Sequence, residues 1–330
     1  MENKSRAGTP HFQRKEVEGD IALTEDDEQI FLDLFRHQLL DAHTIRATLP
    51  HRSHDWLGRR LRLLTDGQYL TRPLEQRKLR RPGGGSYPKI YGLGNAAARH
   101  IKAKFGLPVR TDRWVTSNNR LQPVHIEHTV EQARFMVQLR SSVQKRPDSH
   151  GFEYPDEIFR RLNPKLLKKK SLPRKFTATV DWQNWNQKET TVPDGLCALR
   201  YLNEPPEKSS RYLFIEIDRG TETIEPTKRN LAPRTFFVRG NSLLRKFVVY
   251  EAGWRERAQE SIFGIPTFQV LTVTTDPDRV WKMIDVVQKH LPKSPPIRFL
   301  FTDFETLAKH QFDVFTVPLL DASGKERSLQ

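Results

Sequence analysis

Three carboxylates sit where an otherwise apolar stretch has little use for charge. Asp194 lies between Pro193 and Gly195, a turn signal that opens the strand-like run 194–201. Glu216 and Asp218 close the β-rich run 212–218, YLFIEID. On a strand, residues two apart share a face, so Glu216 and Asp218 point the same way. A charged side chain at the end of a hydrophobic strand costs free energy unless it is paired or metal-bound. If the two runs pair as a hairpin, Asp194 meets that face and three oxygen donors converge. Such a set suits Mg²⁺ or Mn²⁺. The ion would lower the pKa of its water and stabilise the charge of a phosphodiester transition state. The structural alternative is an ion-pair network with Arg219, Arg245 or Lys246 that ties strand to helix. The residues alone leave both open.

A second set carries cationic chemistry. Residues 21–50 hold six acids (Glu25, Asp26, Asp27, Glu28, Asp33, Asp41) and two bases, whereas residues 51–81 hold nine bases against three acids. The sign changes where Ser53 is positioned to cap a helix carrying Trp56, Leu57, Leu61, Leu63 and Leu64. Arg59 and Arg60 fall on the outer side of that helix, and Arg52 and Arg62 belong to the same basic set. A helix so charged can enter a major groove, where Arg donates two hydrogen bonds to guanine O6 and N7. Arg77, Lys78, Arg80 and Arg81 lie in the tip EQRKLRRPGGGS. They suit phosphate oxygens or the minor groove, and glycines 83–85 let the tip bend. On a protein-binding module the same charges would be a solvated face.

These side chains need elements to carry them. Thr24 followed by Glu25, Asp26 and Asp27 predicts a capped helix with acids at its positive end. Asp41 can cap a second helix that Pro50 ends. The third helix is followed by strand-like runs 69–74 and 87–93, then by a helix over 95–105. Three helices and a β-hairpin is the order of a winged helix-turn-helix. The expected organisation is a disordered arm over 1–20, a winged-helix DNA-binding domain over 21–106, a polar linker over 107–123 and an α/β domain over 124–330. In the last, a helix from Glu127 precedes strands at 176–182, 194–201 and 212–218. Then come a helix over 242–257, a strand over 268–274, a helix carrying Met283 and a strand over 297–302. This alternation predicts an α+β or α/β fold with a mixed sheet and helices on it.

Composition bounds the rest. The chain has 330 residues, 55 Lys and Arg against 40 Asp and Glu, and a net charge of +15. That balance favours a polyanion as partner. A single cysteine, Cys197, excludes an intrachain disulfide and a four-thiolate zinc site. No apolar run approaches the ~20 residues that span a bilayer, and residues 1–20 lack a signal-peptide apolar block, so a cytoplasmic location is expected.

A Pro-Asp on one strand followed by a Glu on the next, between two helices, resembles the PD-(D/E)XK nuclease fold. More narrowly, the chain resembles the replication-relaxation family of plasmid and mobile-element proteins. The resemblance is carried by the winged-helix order, His125 and His128 opening a helix, the block PDG…FIEIDRGTE, and Lys246 four residues before Tyr250. It covers roughly residues 24–275. It implies a role in DNA replication or relaxation, double-stranded DNA as partner, and Asp194 and Glu216 as metal carboxylates. The nuclease pattern has Lys two residues after the Glu, where this chain has Asp218. Lys246 on the next helix can take that role, with Lys228 and Arg219 weaker substitutes. Two functional readings follow: a DNA-binding protein, open to homodimer formation, with a Mg²⁺- or Mn²⁺-dependent nicking site at Asp194, Glu216, Asp218 and Lys246, or a non-catalytic replication or transcription regulator with a degenerate nuclease-like domain.

Overall fold

The computed structural model describes residues 20–80, 87–182, 184–227, 236–237 and 242–329. All of the expected arm but Asp20 lies outside these residues, as do Arg81, glycines 83–85 and Lys228. The chain divides into two compact units, Met1–Arg134 and Phe135–Gln330.

The first unit is built from locally capped helices. In α1 (Glu25–His37) the Thr24 hydroxyl accepts from the Asp27 amide and the Asp27 carboxylate accepts from the Thr24 amide, a reciprocal capping box. Asp41 ends the short strand β1 (Leu39–Asp41) and caps α2 (Ala42–Thr48) by accepting from the Thr44 amide at 2.7 Å. Ser53 caps α3 (His54–Asp66). Strands β2 (Leu70–Thr71) and β3 (Ile90–Leu93) complete a three-stranded antiparallel sheet in the order β1-β3-β2. Ile30, Phe31, Leu34, Leu39, Ile45, Leu57, Leu61 and Leu64 are buried. Helix α4 (Asn95–Phe105) follows the sheet.

The hairpin arm departs from the expected run 69–74. Pro73 has no N–H for a ladder, and the chain winds into a 3₁₀ turn over Leu74–Lys78. The Gln76 amide replaces the missing strand pairing: its oxygen accepts from the Ile90 N–H at 2.9 Å and its nitrogen donates to the Ile90 carbonyl at 3.1 Å. The polar stretch 107–123 contains α5 (Trp114–Asn119), and α6 (Pro123–Gln144) starts on the last residue of that stretch.

In the second unit, α6 is followed by β4 (His150–Glu153), α7 (Pro155–Leu162), a 3₁₀ turn over Pro164–Lys168, β5 (Phe176–Trp182), β6 (Trp185–Thr191), β7 (Gly195–Tyr201) and β8 (Ser210–Ile217). Next come α8 (Leu243–Arg255), α9 (Ala258–Phe263), β9 (Gln269–Thr274), α10 (Pro277–His290), β10 (Phe299–Asp303), α11 (Phe304–Lys309), β11 (Leu319–Asp321) and β12 (Glu326–Arg327). Seven strands form one mixed sheet in the order β12-β11-β10-β9-β8-β7-β4. The pairs β8–β9 and β9–β10 are parallel and β7–β8 is antiparallel.

Strict alternation along β8 sorts its side chains. Leu213, Ile215 and Ile217 join Leu139 and Val143 of α6 in one core. Tyr212 and Phe214 join Phe247 and Tyr250 of α8 in the other, with the Phe214 and Tyr250 rings stacked 5.7 Å apart. One strand is placed differently from expectation. The 176–182 run is not in the main sheet but pairs with β6 as a separate two-stranded ribbon. The partner, WNQKETT, is too polar to read as a strand. Its ribbon survives because Phe176, Ala178 and Val180 turn inward onto α8, where Gly253 admits the Phe176 ring. A Cβ on Gly253 would lie 2.3 Å from that ring. Trp182 and Trp185 stack on Phe236 and Phe237, as core packing. Cys197 is buried, and burial pushes its thiol far above the ordinary value. Among the described residues, no helix is long and apolar enough to cross a membrane.

Candidate functional site

The basic face of the first unit is smaller than its charge count suggests. Leu57, Leu61 and Leu64 turn inward on α3, and Arg59 and Arg62 are exposed on its outer side. Arg62 has Asp66 at 3.8 Å one turn on. Arg60, expected beside Arg59, turns inward. Its Nε donates to Asp27 at 2.8 Å and its terminal nitrogen to the Ala22 carbonyl at 2.7 Å. Asp27 is fully buried, so Arg60 neutralises an acid that the cap of α1 has drawn inside. Arg52 is paired likewise with Asp26 and lies over the Trp56 ring at 4.6 Å. Two of the four basic residues at α3 therefore hold the fold rather than face solvent freely. The acid-then-base sequence pattern is partly an internal ion-pair set. On the hairpin arm, Arg77, Lys78 and Arg80 are exposed, with Lys78 2.6 Å from Glu75. His128 contacts Gln132 within α6 at 2.7 Å, a local hydrogen bond.

The two kinds of arginine separate experimentally. Arg60→Met leaves Asp27 buried with only its cap partners and is expected to cost about 1–3 kcal/mol. Arg59→Ala, on the exposed face, is expected to change stability by less than about 0.5 kcal/mol. Urea unfolding of the two variants checks this.

In the second unit the carboxylates come from the carboxyl end of β8 and the turn before β7. The Asp194 amide donates to the Ile215 carbonyl at 2.9 Å, and the Asp194 carboxylate accepts from the Ile217 amide at 2.8 Å. Asp194 thus extends the β7–β8 ladder with its side chain, which brings its charge beside Glu216. Glu216 is fully buried. One of its oxygens accepts from Lys246 Nζ at 2.9 Å and the other from the Tyr250 hydroxyl. Both donors sit on α8, four residues apart on one face. Ser242 sets that register by capping the helix. Lys246 also donates to Glu222 at 3.0 Å.

Electrostatics follow from burial. Desolvation lifts the Glu216 carboxyl from its ordinary value to about 7, against the pull of Lys246 and with Asp194 adding repulsion. Burial opposes the charge of Lys246, but Glu216, Asp194 and Glu222 together outweigh it and raise its pKa. The ammonium is therefore held firmly, while the carboxylate is poised to share a proton near neutrality. Burial, then the Glu216 charge, pushes the Tyr250 hydroxyl well above its ordinary range.

Asp218 faces the same side of the sheet as Glu216 but is taken by different partners. Arg279 of α10 donates to both of its oxygens, at 2.7 and 3.0 Å, and the Thr274 hydroxyl donates at 2.6 Å. The expected three-carboxylate metal set of Asp194, Glu216 and Asp218 is therefore not assembled. Among the described residues, no group of three or more His, Cys, Asp or Glu is arranged to hold a metal ion. The physical reason is the Arg279 guanidinium, whose fork occupies both Asp218 oxygens. Arg245, a candidate partner for these acids, pairs instead with Glu189 on β6 at 3.2 Å.

Two participants escape a reading of the sequence. Glu222 stands in the block EIDRGTE without any periodicity to mark it, and only the turn after β8 returns it to Lys246. Arg279 looks like one of several charges on an amphipathic helix. What remains beside Asp218 is a cluster of Asp194, Glu216, Glu222, Lys246 and Tyr250. It can hold a proton, fix a lysine charge and offer two acidic side chains to a cation.

The chain matches no curated protein and no solved structure. A family model described as replication-relaxation matches residues 32–262, a span that takes in α2 and α3 of the first unit with their caps, both carboxylate-bearing turns and Lys246 with Tyr250. That span is more than half of the chain, and the chain belongs to the replication-relaxation family.

Proposed function

We propose that this chain is a DNA-binding protein of plasmid or mobile-element replication, in which the first unit acts as a winged helix on duplex DNA and the second, of PD-(D/E)XK nuclease-like build, acts on the phosphodiester chain. The observation that carries the second half is the contact between Lys246 and Glu216 at 2.9 Å, next to Asp194. Two carboxylates and a lysine from three elements meet at the carboxyl end of a strand, and the lysine comes from the helix rather than from the second position after the Glu. Asp194 and Glu216 are the residues that would hold Mg²⁺ or Mn²⁺. Mg²⁺ commonly takes only one or two protein carboxylates, with water and substrate phosphate as the remaining ligands. Such an ion supplies charge stabilisation for an in-line displacement at phosphorus. Lys246 then stabilises negative charge on the phosphate, and its high proton affinity suits it to that role rather than to that of a base.

The winged-helix reading is supported by the exposed Arg59 and Arg62 on α3 and by Arg77, Lys78 and Arg80 on the arm. Arg59→Ala is expected to relax base preference, whereas Arg80→Ala weakens binding to all sequences and lowers the salt slope by about 1. If neither variant changes duplex binding, the groove-facing elements are assigned wrongly.

For the chemistry, supercoiled plasmid is incubated with the full chain and Mg²⁺ or Mn²⁺. Wild type is expected to nick it, and Asp194→Ala, Glu216→Gln and Lys246→Met to lose at least about a hundredfold in rate. Nicking that survives in all three removes this site from the chemistry. A second reading has its own support. Glu216 is sealed from solvent with both oxygens engaged, and Asp218 is neutralised by Arg279. Cation-independent duplex binding without strand scission by wild type would favour a non-catalytic regulator.

A further inference from the structure

A second concave site lies at the opposite end of β8 from the carboxylates. Arg211 and Glu216 are five residues apart on that strand, roughly 17 Å along it. The cleft has a volume of about 430 Å³ and is framed by the first residues of β8 and β9, the end of α8 and the turn before β10. That volume falls in the range of small-molecule sites. Its walls combine aromatic and cationic side chains: Tyr201, Trp254 and Phe268 with Lys208, Arg211 and Arg298.

The charges differ in availability. Arg298 lies against the Trp254 indole, 3.3 Å from the ring centroid, and donates to both oxygens of Glu251 at 2.8 Å. It is neutralised and acts as a prop for the indole. Arg211 donates to the Ser328 carbonyl at 3.1 Å and lies over Tyr201, and among the described residues it has no carboxylate partner. Lys208 is exposed at the rim. Against Lys208 and Arg211 the lining holds one acid, Glu204. The cleft therefore attracts an anion and has the rings of Tyr201, Trp254 and Phe268 in its wall. The nucleotide unit of a single strand suits both: it has a base with a π-face and a phosphate. An acidic peptide has the charge without the planar ring.

We propose that this cleft binds an unpaired nucleotide of single-stranded nucleic acid, with the base against its aromatic wall and the phosphate at Lys208 and Arg211. The site is distinct from the duplex-binding face and from the carboxylate cluster, and it does not depend on nicking.

The test uses the full chain, a fluorescently labelled short oligothymidylate and fluorescence anisotropy. Wild type is expected to bind it, and Thr267→Trp, which fills the cleft from an exposed position, to weaken binding about tenfold. Lys208→Gln with Arg211→Gln is expected to lower the magnitude of the salt slope by about 1.4, the loss of two phosphate contacts. Arg59→Ala with Arg62→Ala should weaken a duplex and leave oligothymidylate binding unchanged, so failure of the duplex reading and failure of this one appear in different measurements. Thermal melting confirms that each variant is folded. Three outcomes would overturn the proposal: no binding of oligothymidylate by wild type, unchanged affinity and salt slope in both cleft variants, or equal competition by a polyglutamate peptide.

Discussion

Arg279→Met is expected to destabilise the second unit by about 3–5 kcal/mol, the typical cost of removing one partner from a buried ion pair. The Asp218 side chain is buried and receives two of its four hydrogen bonds from Arg279. The guanidinium also donates to the Glu222 carbonyl at 2.9 Å, so one side chain joins the end of β8, the turn beyond it and α10. Without it, Asp218 keeps the Thr274 hydroxyl and the Gly220 amide, which are too few donors for a carboxylate out of water. Adding Asp218→Asn to Arg279→Met removes the stranded charge and is expected to recover more than half of the loss. Urea unfolding of the wild type, both single variants and the double variant measures this as a double-mutant cycle. A single-variant cost below about 1 kcal/mol would show that the pair is replaceable by water.

The Lys246→Met variant is expected to lose stability in a pH-dependent way. In the wild type, the folded-state pKa of Glu216 is raised, from an ordinary 4.5 to about 7. A raised carboxyl binds its proton more tightly in the folded state. Its contribution is fully present below pH 4.5 and is lost as pH rises to about 7. Removing Lys246 withdraws the strongest force that opposes burial, so the carboxyl of the variant titrates higher still. At pH 5 Glu216 is protonated in the folded variant, and the substitution costs packing and the contact with Glu222. At pH 8 the choice is between a buried bare carboxylate and an unfavourable protonation, and the cost approaches about 3–5 kcal/mol. Urea unfolding at the two pH values checks the difference. A cost independent of pH would mean that Glu216 is not the group stabilised by Lys246. The Glu216→Gln variant, which has nothing to titrate, should lack the wild-type decline between pH 4.5 and 7.

The two ion pairs explain why one acid stays in the candidate site and the other does not. Asp218 meets a guanidinium whose fork matches both carboxylate oxygens. Glu216 meets a single ammonium and a phenol. The former arrangement is closed, whereas the latter leaves Lys246 shared among three acids at the carboxyl end of β8.

Much of this protein is determined by short-range chemistry and is legible without coordinates. Thr24, Asp41 and Ser53 cap the helices that follow them because a side-chain oxygen three residues upstream meets an orphan amide, a matter of local geometry. The alternation in YLFIEID places Glu216 and Asp218 on one face because the strand period is two. Tertiary structure alone decided which charge each of them meets. Arg279 lies 61 residues beyond Asp218, and Arg60 lies 33 residues beyond Asp27. No pattern of spacing distinguishes those arginines from Arg59 or Arg62, which stay exposed. The polar strand β6 was invisible for the same reason, since its pairing is set by the buried face of its partner and not by its own side chains. Ion pairs and sheet edges are completed by whatever the fold brings near, and residues distant in sequence share no local signal.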